Sequence, residues 1–75
     1  MNIIKERGED YGDPRPNHER IAHLWNAYLE PATPITAHDV AICMILVKCS
    51  RAKAGFRADN YLDIAGYAEI AEDLR

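Results

Sequence analysis

Lys48 and Arg51 stand three residues apart, so on a helix their cationic heads are neighbours, on the side that also carries Ala41 and Met44. Asn60, Asp63 and Tyr67 follow at the spacing of one helical stripe, with Asp59 immediately before them. Paired cations beside a helix N-terminus can hold phosphate, and carboxylates can hold Mg²⁺ or a sugar hydroxyl. If Gly55 reverses the chain into an antiparallel helix pair, Lys48, Arg51, Asp59, Asn60 and Asp63 converge at one end of it. The same residue types also suit a purely structural cluster, because cations favour helix C-termini and acids favour helix N-termini. Two further residues bear on the choice. Gly66 sits in mid-helix, where glycine costs about 1 kcal/mol and points to close approach by a neighbour or a ligand. Tyr11, in a glycine-rich loop, can close over a ligand or anchor the N-terminal arm.

Other chemistries are poorly served. His18 and His23 are five apart, about 140° round a helix, so one zinc ion cannot take both without unwinding the backbone. Gly8 and Gly12 lack a following Gly-Lys-Ser/Thr and no strand precedes them, so there is no nucleotide fingerprint of that kind. Ser50 has no nucleophile-elbow context.

Three helices are needed to position the polar residues. Asn17 is a plausible cap for a first helix over 17–30, with Ile21, Leu24, Trp25, Tyr28 and Leu29 on one stripe and Pro31 and Pro34 ending it. Thr36 and Asp39 form a variant capping box for a second helix over 36–54, stopped by a left-handed Gly55. Its apolar run from Val40 to Val47 predicts the most buried helix of the three. A third helix over 60–74 places Asn60, Asp63, Ile64, Tyr67, Ala71 and Leu74 on one face. Residues 1–16 read as an arm, with a short helix at Asn2–Arg7 and then a loop broken by two glycines and two prolines. No segment alternates as a strand does, so the fold class is all-α, a single domain over residues 1–75.

At 75 residues the chain offers one small core, and chains of this size lean on disulfides, a metal or a partner subunit. Cys43 and Cys49 are six apart on one helix, roughly 120° divergent, and cannot bridge each other; they read as reduced, buried thiols of a cytoplasmic protein. Homo-oligomerisation is therefore the expected support. A net charge of −3 speaks against coating DNA or RNA. The longest apolar run is far short of the roughly 20 residues that span a bilayer, so no membrane role is expected.

The order Arg7-Gly8-Glu9-Asp10-Tyr11-Gly12-Asp13, then Trp25, Ile35-Thr36, Asp39-Val40, Lys48 with Arg51, Asp59-Asn60, Asp63 and Ala65-Gly66-Tyr67-Ala68 resembles a family of small phage and prophage domains of unknown function. The Asp-Tyr-Gly, Lys-x-x-Arg and Asp-rich helix sequence also looks like the phage nucleotide-modification-associated domain. More distantly it is similar to the MazG-type all-α nucleoside triphosphate pyrophosphohydrolases, which hold Mg²⁺ on Glu-x-x-Glu and Glu-x-x-Asp helices. This chain departs from those pairs: its candidate metal ligands are Asp39, Asp59 and Asp63.

Two functions follow as expectations. In the first, a phage-encoded protein binds a nucleotide or nucleotide-like phosphate compound through Lys48, Arg51, Asp59, Asn60, Asp63, Tyr67 and Tyr11. It would hydrolyse that compound with Mg²⁺ or sequester it, for example as a host defence signal. In the second, a non-catalytic oligomer grips a host protein through Trp25, Tyr28 and the proline-flanked arm.

Overall fold

A computed structural model describes residues 13–75, which form α1 (Pro14–Leu29), α2 (Ala37–Ala54) and α3 (Ala58–Asp73), with no strand among them. The expected helix at Asn2–Arg7 and the loop as far as Gly12 lie outside the described residues.

α1 starts earlier than its apolar stripe predicts. Asp13, not Asn17, is the cap, and its Oδ1 accepts the N–H of Arg15 at 2.9 Å. Pro14 and Pro16 were expected to keep the chain in a loop, yet both lie inside the first turn. Proline is tolerated there because its missing N–H would have no helical partner in any case. The helix ends on Glu30, held in the left-handed region at φ 47° and ψ 52°, with its N–H donated to the Asn26 carbonyl at 2.9 Å.

Asn26 also fixes the way out of α1. Its Nδ2 donates to the Ile35 carbonyl at 2.9 Å, and its Oδ1 accepts the Ile35 N–H at 2.7 Å. The connection through Pro31 and Pro34 is thereby tied back to the helix it leaves. At the other end of α1, Arg15 Nη2 donates to the Asp73 carbonyl at 2.9 Å, so the start of α1 is fastened to the end of α3. A cation there meets the negative pole of α3.

α2 begins with the capping box in full: Asp39 N–H donates to Thr36 Oγ1 at 3.1 Å and Thr36 N–H donates to Asp39 Oδ2 at 2.9 Å. Its end differs from expectation. Gly55 adopts φ 167° and ψ 157°, which is extended backbone, and the chain crosses to α3 through Gly55, Phe56 and Arg57 without a left-handed cap.

α2 and α3 form the larger helix pair, and it runs antiparallel. Seam positions on α2 recur at alternating intervals of four and three residues, as they do on α3. Ala37 and Ala41 pack with Leu74, Ile70 and Ala71, while Tyr67 lies against the same cluster. One step further along, Lys48 meets Asp63, and beyond that Arg51 and Asn60 border one groove. The small alanines let the two backbones approach at the closed end. Toward the turn the seam becomes polar.

Burial follows that gradient. Val40 and Ala41 are fully buried, and Ala22 and His18 of α1 are buried as well. The expectation that α2 is the most buried helix fails: its buried residues are Val40 and Ala41, against Asn60, Gly66, Ile70 and Ala71 on α3, and Ile42, Leu46 and Val47 are exposed. Three short helices cannot surround one of their number, so the outer face of α2 stays in solvent. Cys49 is exposed and Cys43 half-buried, which corrects the reading of both as interior thiols. Tyr28, expected on a packed stripe with Trp25, is 87% exposed, whereas Trp25 is half-buried. No described helix is long and apolar enough to cross a membrane.

Candidate functional site

The polar residues singled out from the sequence separate into a closed pair and an open groove. Lys48 Nζ lies 3.0 Å from Asp63 Oδ2, and the two side chains retain 17% and 24% of their exposure. Each therefore neutralises the other across the α2–α3 seam. Tyr67 stands further along α3, half-buried against the core, its ring 6.2 Å from that of His18. These three residues take no part in the groove.

Arg51 and Asn60 do. With Ala54, Gly55, Phe56 and Arg57 they line a concavity of about 500 Å³ where α2 hands over to α3. Arg51 comes from the last turn of α2 and Arg57 is the N-cap of α3. Neither guanidinium has a hydrogen-bond or ion-pair partner among the described residues. Asn60 sits in the first turn of α3, 4% exposed, and its Nδ2 has no hydrogen-bond partner. A buried amide left unsatisfied costs about 1–3 kcal/mol, so its retention at the groove wall calls for a reason. The N-cap side chain makes no hydrogen bond to the first turn of α3, which leaves the amides of that turn without a side-chain acceptor.

Electrostatically the groove is a site for an anion. Two unpaired guanidinium groups and the positive pole of a 16-residue helix border it, and Asn60 Nδ2, itself sealed from solvent, lies in its wall. Asp59 is exposed on the same first turn but does not line the groove. Arg57 was missed by sequence reasoning because it belongs to neither helical stripe; the only available signal was a lone cation next to an N-terminal helix turn.

The metal set fares differently. Asp39 is committed to the α2 capping box, about 18 Å along the helix from Arg51 at 1.5 Å per residue. Asp63 is paired with Lys48, and Asp59 stands alone in solvent. Among the described residues no three His, Cys, Asp or Glu side chains gather as a metal site would require. The described residues do not fit a carboxylate cage for Mg²⁺. Asp39 has its carboxyl held below the ordinary value of 3.8, chiefly by the backbone hydrogen bond from Thr36, with the Thr36 hydroxyl and the nearby His38 adding to it against desolvation. That shift belongs to helix capping rather than to catalysis. Tyr11 lies outside the described residues.

A second concavity of about 430 Å³ lies toward the other end of α3, bordered by His38, Ala68, Ala71, Glu72 and Arg75. Both ring nitrogens of His38 are buried without partners. Its rim carries one acid and one cation, so it selects neither sign of ligand.

The sequence model of a family described as a domain of unknown function (DUF6378) matches residues 1–75. The chain is similar to the Gene 55 protein of Mycobacterium phage L5, 46% identical over 74 residues that cover 97% of this chain and 47% of that protein. It is similar in the same degree, 46% over 73 residues, to the Gene 55 protein of Mycobacterium phage D29, with 96% and 47% covered. The chain thus spans about half the length of the curated relatives it matches. No solved structure matches it.

Proposed function

Because the chain belongs to the DUF6378 family, a phage domain whose description assigns no activity, we propose a function from the groove itself: it binds a phosphate-bearing ligand of the nucleotide class at the α2–α3 turn. Arg51 and Arg57 take the phosphate oxygens and Asn60 Nδ2 donates to one of them. The observation that carries this reading is Asn60, a buried amide kept without a protein partner beside two uncompensated arginines. A ligand phosphate would pair both guanidinium groups, and a small shift of the groove wall would bring the sealed Asn60 Nδ2 onto one of its oxygens. The resemblance of the Asp-Tyr-Gly, Lys-x-x-Arg and Asp-rich order to the nucleotide-modification-associated domain agrees with it.

Of the two outcomes for such a ligand, sequestration suits the geometry better than hydrolysis. The described carboxylates are dispersed or paired, and a hydrolase of the MazG kind needs several of them on one metal. The test is thermal unfolding of the intact chain against inorganic pyrophosphate and a panel of mono-, tri- and cyclic nucleotides. Binding raises the melting temperature by mass action, and Arg51→Ala or Arg57→Ala each weakens it roughly tenfold. A melting temperature unmoved by every compound at millimolar concentration refutes the reading.

A second reading rests on a separate observation. Leu24, Tyr28 and Leu29 of α1 and Ile42, Leu46 and Val47 of α2 are exposed apolar side chains, more than a monomeric three-helix domain needs. They would supply contacts for a second copy or a host protein. Sedimentation of the chain alone distinguishes self-association from a monomer.

A further inference from the structure

An exposed aromatic pair stands at the arginine-lined groove, outside the buried core. Phe56 is 81% exposed on the three-residue crossing between α2 and α3, and it lines the groove beside Arg51 and Arg57. Tyr61, in the second turn of α3, is 54% exposed. Their ring centroids are 5.9 Å apart with 32° between the planes, so they form a tilted aromatic pair open to solvent. A phenylalanine held in water at a helix connection gains nothing for the core. Placed next to two guanidinium groups, it offers what a nucleobase needs, a flat π-surface within reach of the phosphate-binding cations.

We propose that Phe56, backed by Tyr61, stacks the base of a free purine nucleotide whose phosphates lie on Arg51, Arg57 and Asn60. This deepens the phosphate reading and rests on it. A concavity of about 500 Å³ is of the size that accepts a single nucleotide rather than a strand. The net charge of −3 also opposes a polynucleotide track. Among the described residues the groove is lined by no carboxylate, and its one side-chain amide, Asn60, is assigned to the phosphate, so selectivity comes from stacking area and purines bind ahead of pyrimidines.

The experiment is calorimetric titration of the intact chain with inorganic pyrophosphate, adenosine diphosphate, cytidine diphosphate and an adenine tetranucleotide, repeated on Phe56→Ala and Phe56→Trp. Adenosine diphosphate should bind roughly tenfold more tightly than pyrophosphate, with cytidine diphosphate between them. Phe56→Ala should bring adenosine diphosphate down to the pyrophosphate level and leave pyrophosphate unchanged, while Phe56→Trp keeps or raises the difference. Because Phe56 is exposed, its removal does not threaten the fold, and an unchanged unfolding midpoint verifies this. Equal binding of pyrophosphate and adenosine diphosphate, insensitive to Phe56, overturns the stack but leaves the anion site standing. No binding of any of the four overturns both. Affinity that rises with oligonucleotide length overturns the mononucleotide assignment in favour of a nucleic-acid surface.

Discussion

Lys48 Nζ and Asp63 Oδ2 meet at 3.0 Å across the α2–α3 seam, two steps beyond Ala41 and Ile70 of the apolar cluster and one step before Arg51 and Asn60. The pair marks where the seam stops being core and becomes site. With about four-fifths of each side chain covered, removing either partner leaves a poorly solvated charge. Lys48→Met and Asp63→Leu should each cost about 1–2 kcal/mol in chemical denaturation, and the double variant should cost less than the sum. Asp63 makes a further interaction, so its loss should be the costlier. Pyrophosphate binding should survive both changes. If Lys48→Met abolishes it, the ion pair is part of the site after all.

Asn60 gives the sharpest separation of stability from binding. An amide that is 4% exposed with a partnerless Nδ2 weakens the free protein. Asn60→Leu keeps the approximate volume and removes the unsatisfied donor, so it should raise stability by up to about 1 kcal/mol while eliminating the pyrophosphate-induced thermal shift. A variant that loses stability and still binds would show that the amide is satisfied within the protein and that the ligand does not need it.

Local features of this fold were legible in the sequence and long-range ones were less so. The Thr36–Asp39 box needs four consecutive residues, and both of its hydrogen bonds are present. The stripe containing Asn60, Tyr67, Ala71 and Leu74 is likewise a matter of helical period. Whether a stripe is covered is another question: periodicity marks Tyr28 and Leu46 as apolar positions but cannot say that nothing packs on them. The site was half legible. Arg51 and Asn60 were found because they lie on periodic faces, but separating them from Lys48 and Asp63 required the register of the two helices. Arg57 and Phe56 sit in the crossing, where no period exists to mark them.

Asn26 is a residue that only the folded chain reveals. Its side chain satisfies both the N–H and the carbonyl of Ile35, at 2.7 and 2.9 Å, and so holds the α1–α2 connection. Asn26→Ala should cost about 2 kcal/mol, near 1 kcal/mol for each bond. Asn26→Asp should lose part of that, because a carboxylate still accepts from Ile35 N–H but has no donor for the carbonyl. Equal stability of all three proteins would mean that water replaces the clamp.

Glu30 and Gly55 reverse the usual allocation of residues at helix ends. Glu30 occupies the left-handed region at φ 47°, while Gly55 is extended and a Cβ there would meet nothing within 4 Å. Glu30→Gly should therefore stabilise the chain by about 0.5–1 kcal/mol by relieving the left-handed conformation. Gly55→Ala should stabilise it by about 0.4–1 kcal/mol through the unfolded state. The opposite sign for Gly55→Ala would indicate that the crossing needs glycine when ligand is bound or the turn closes, which repeating the melt with pyrophosphate would detect.

Asp39 sets an acid limit on the start of α2. Its carboxyl is held below 3.8, first by the Thr36 backbone N–H, which outweighs the opposing desolvation, with smaller help from the Thr36 hydroxyl and His38. The folded state thus prefers the ionised form more strongly than the unfolded chain does. The resulting stability is complete above the unfolded value, absent from any slope near neutrality, and lost as pH falls below about 4 through the folded value. Asp39→Asn should flatten that part of the acid limb when unfolding midpoints at pH 6 and pH 3 are compared. Thr36→Ala, which removes the hydroxyl from the same box, should cost about 1 kcal/mol at pH 6 and reduce the difference between the two pH values. An acid limb as steep in Asp39→Asn as in the parent chain would place the titrating carboxylate elsewhere, with Asp63 beside Lys48 the next to substitute.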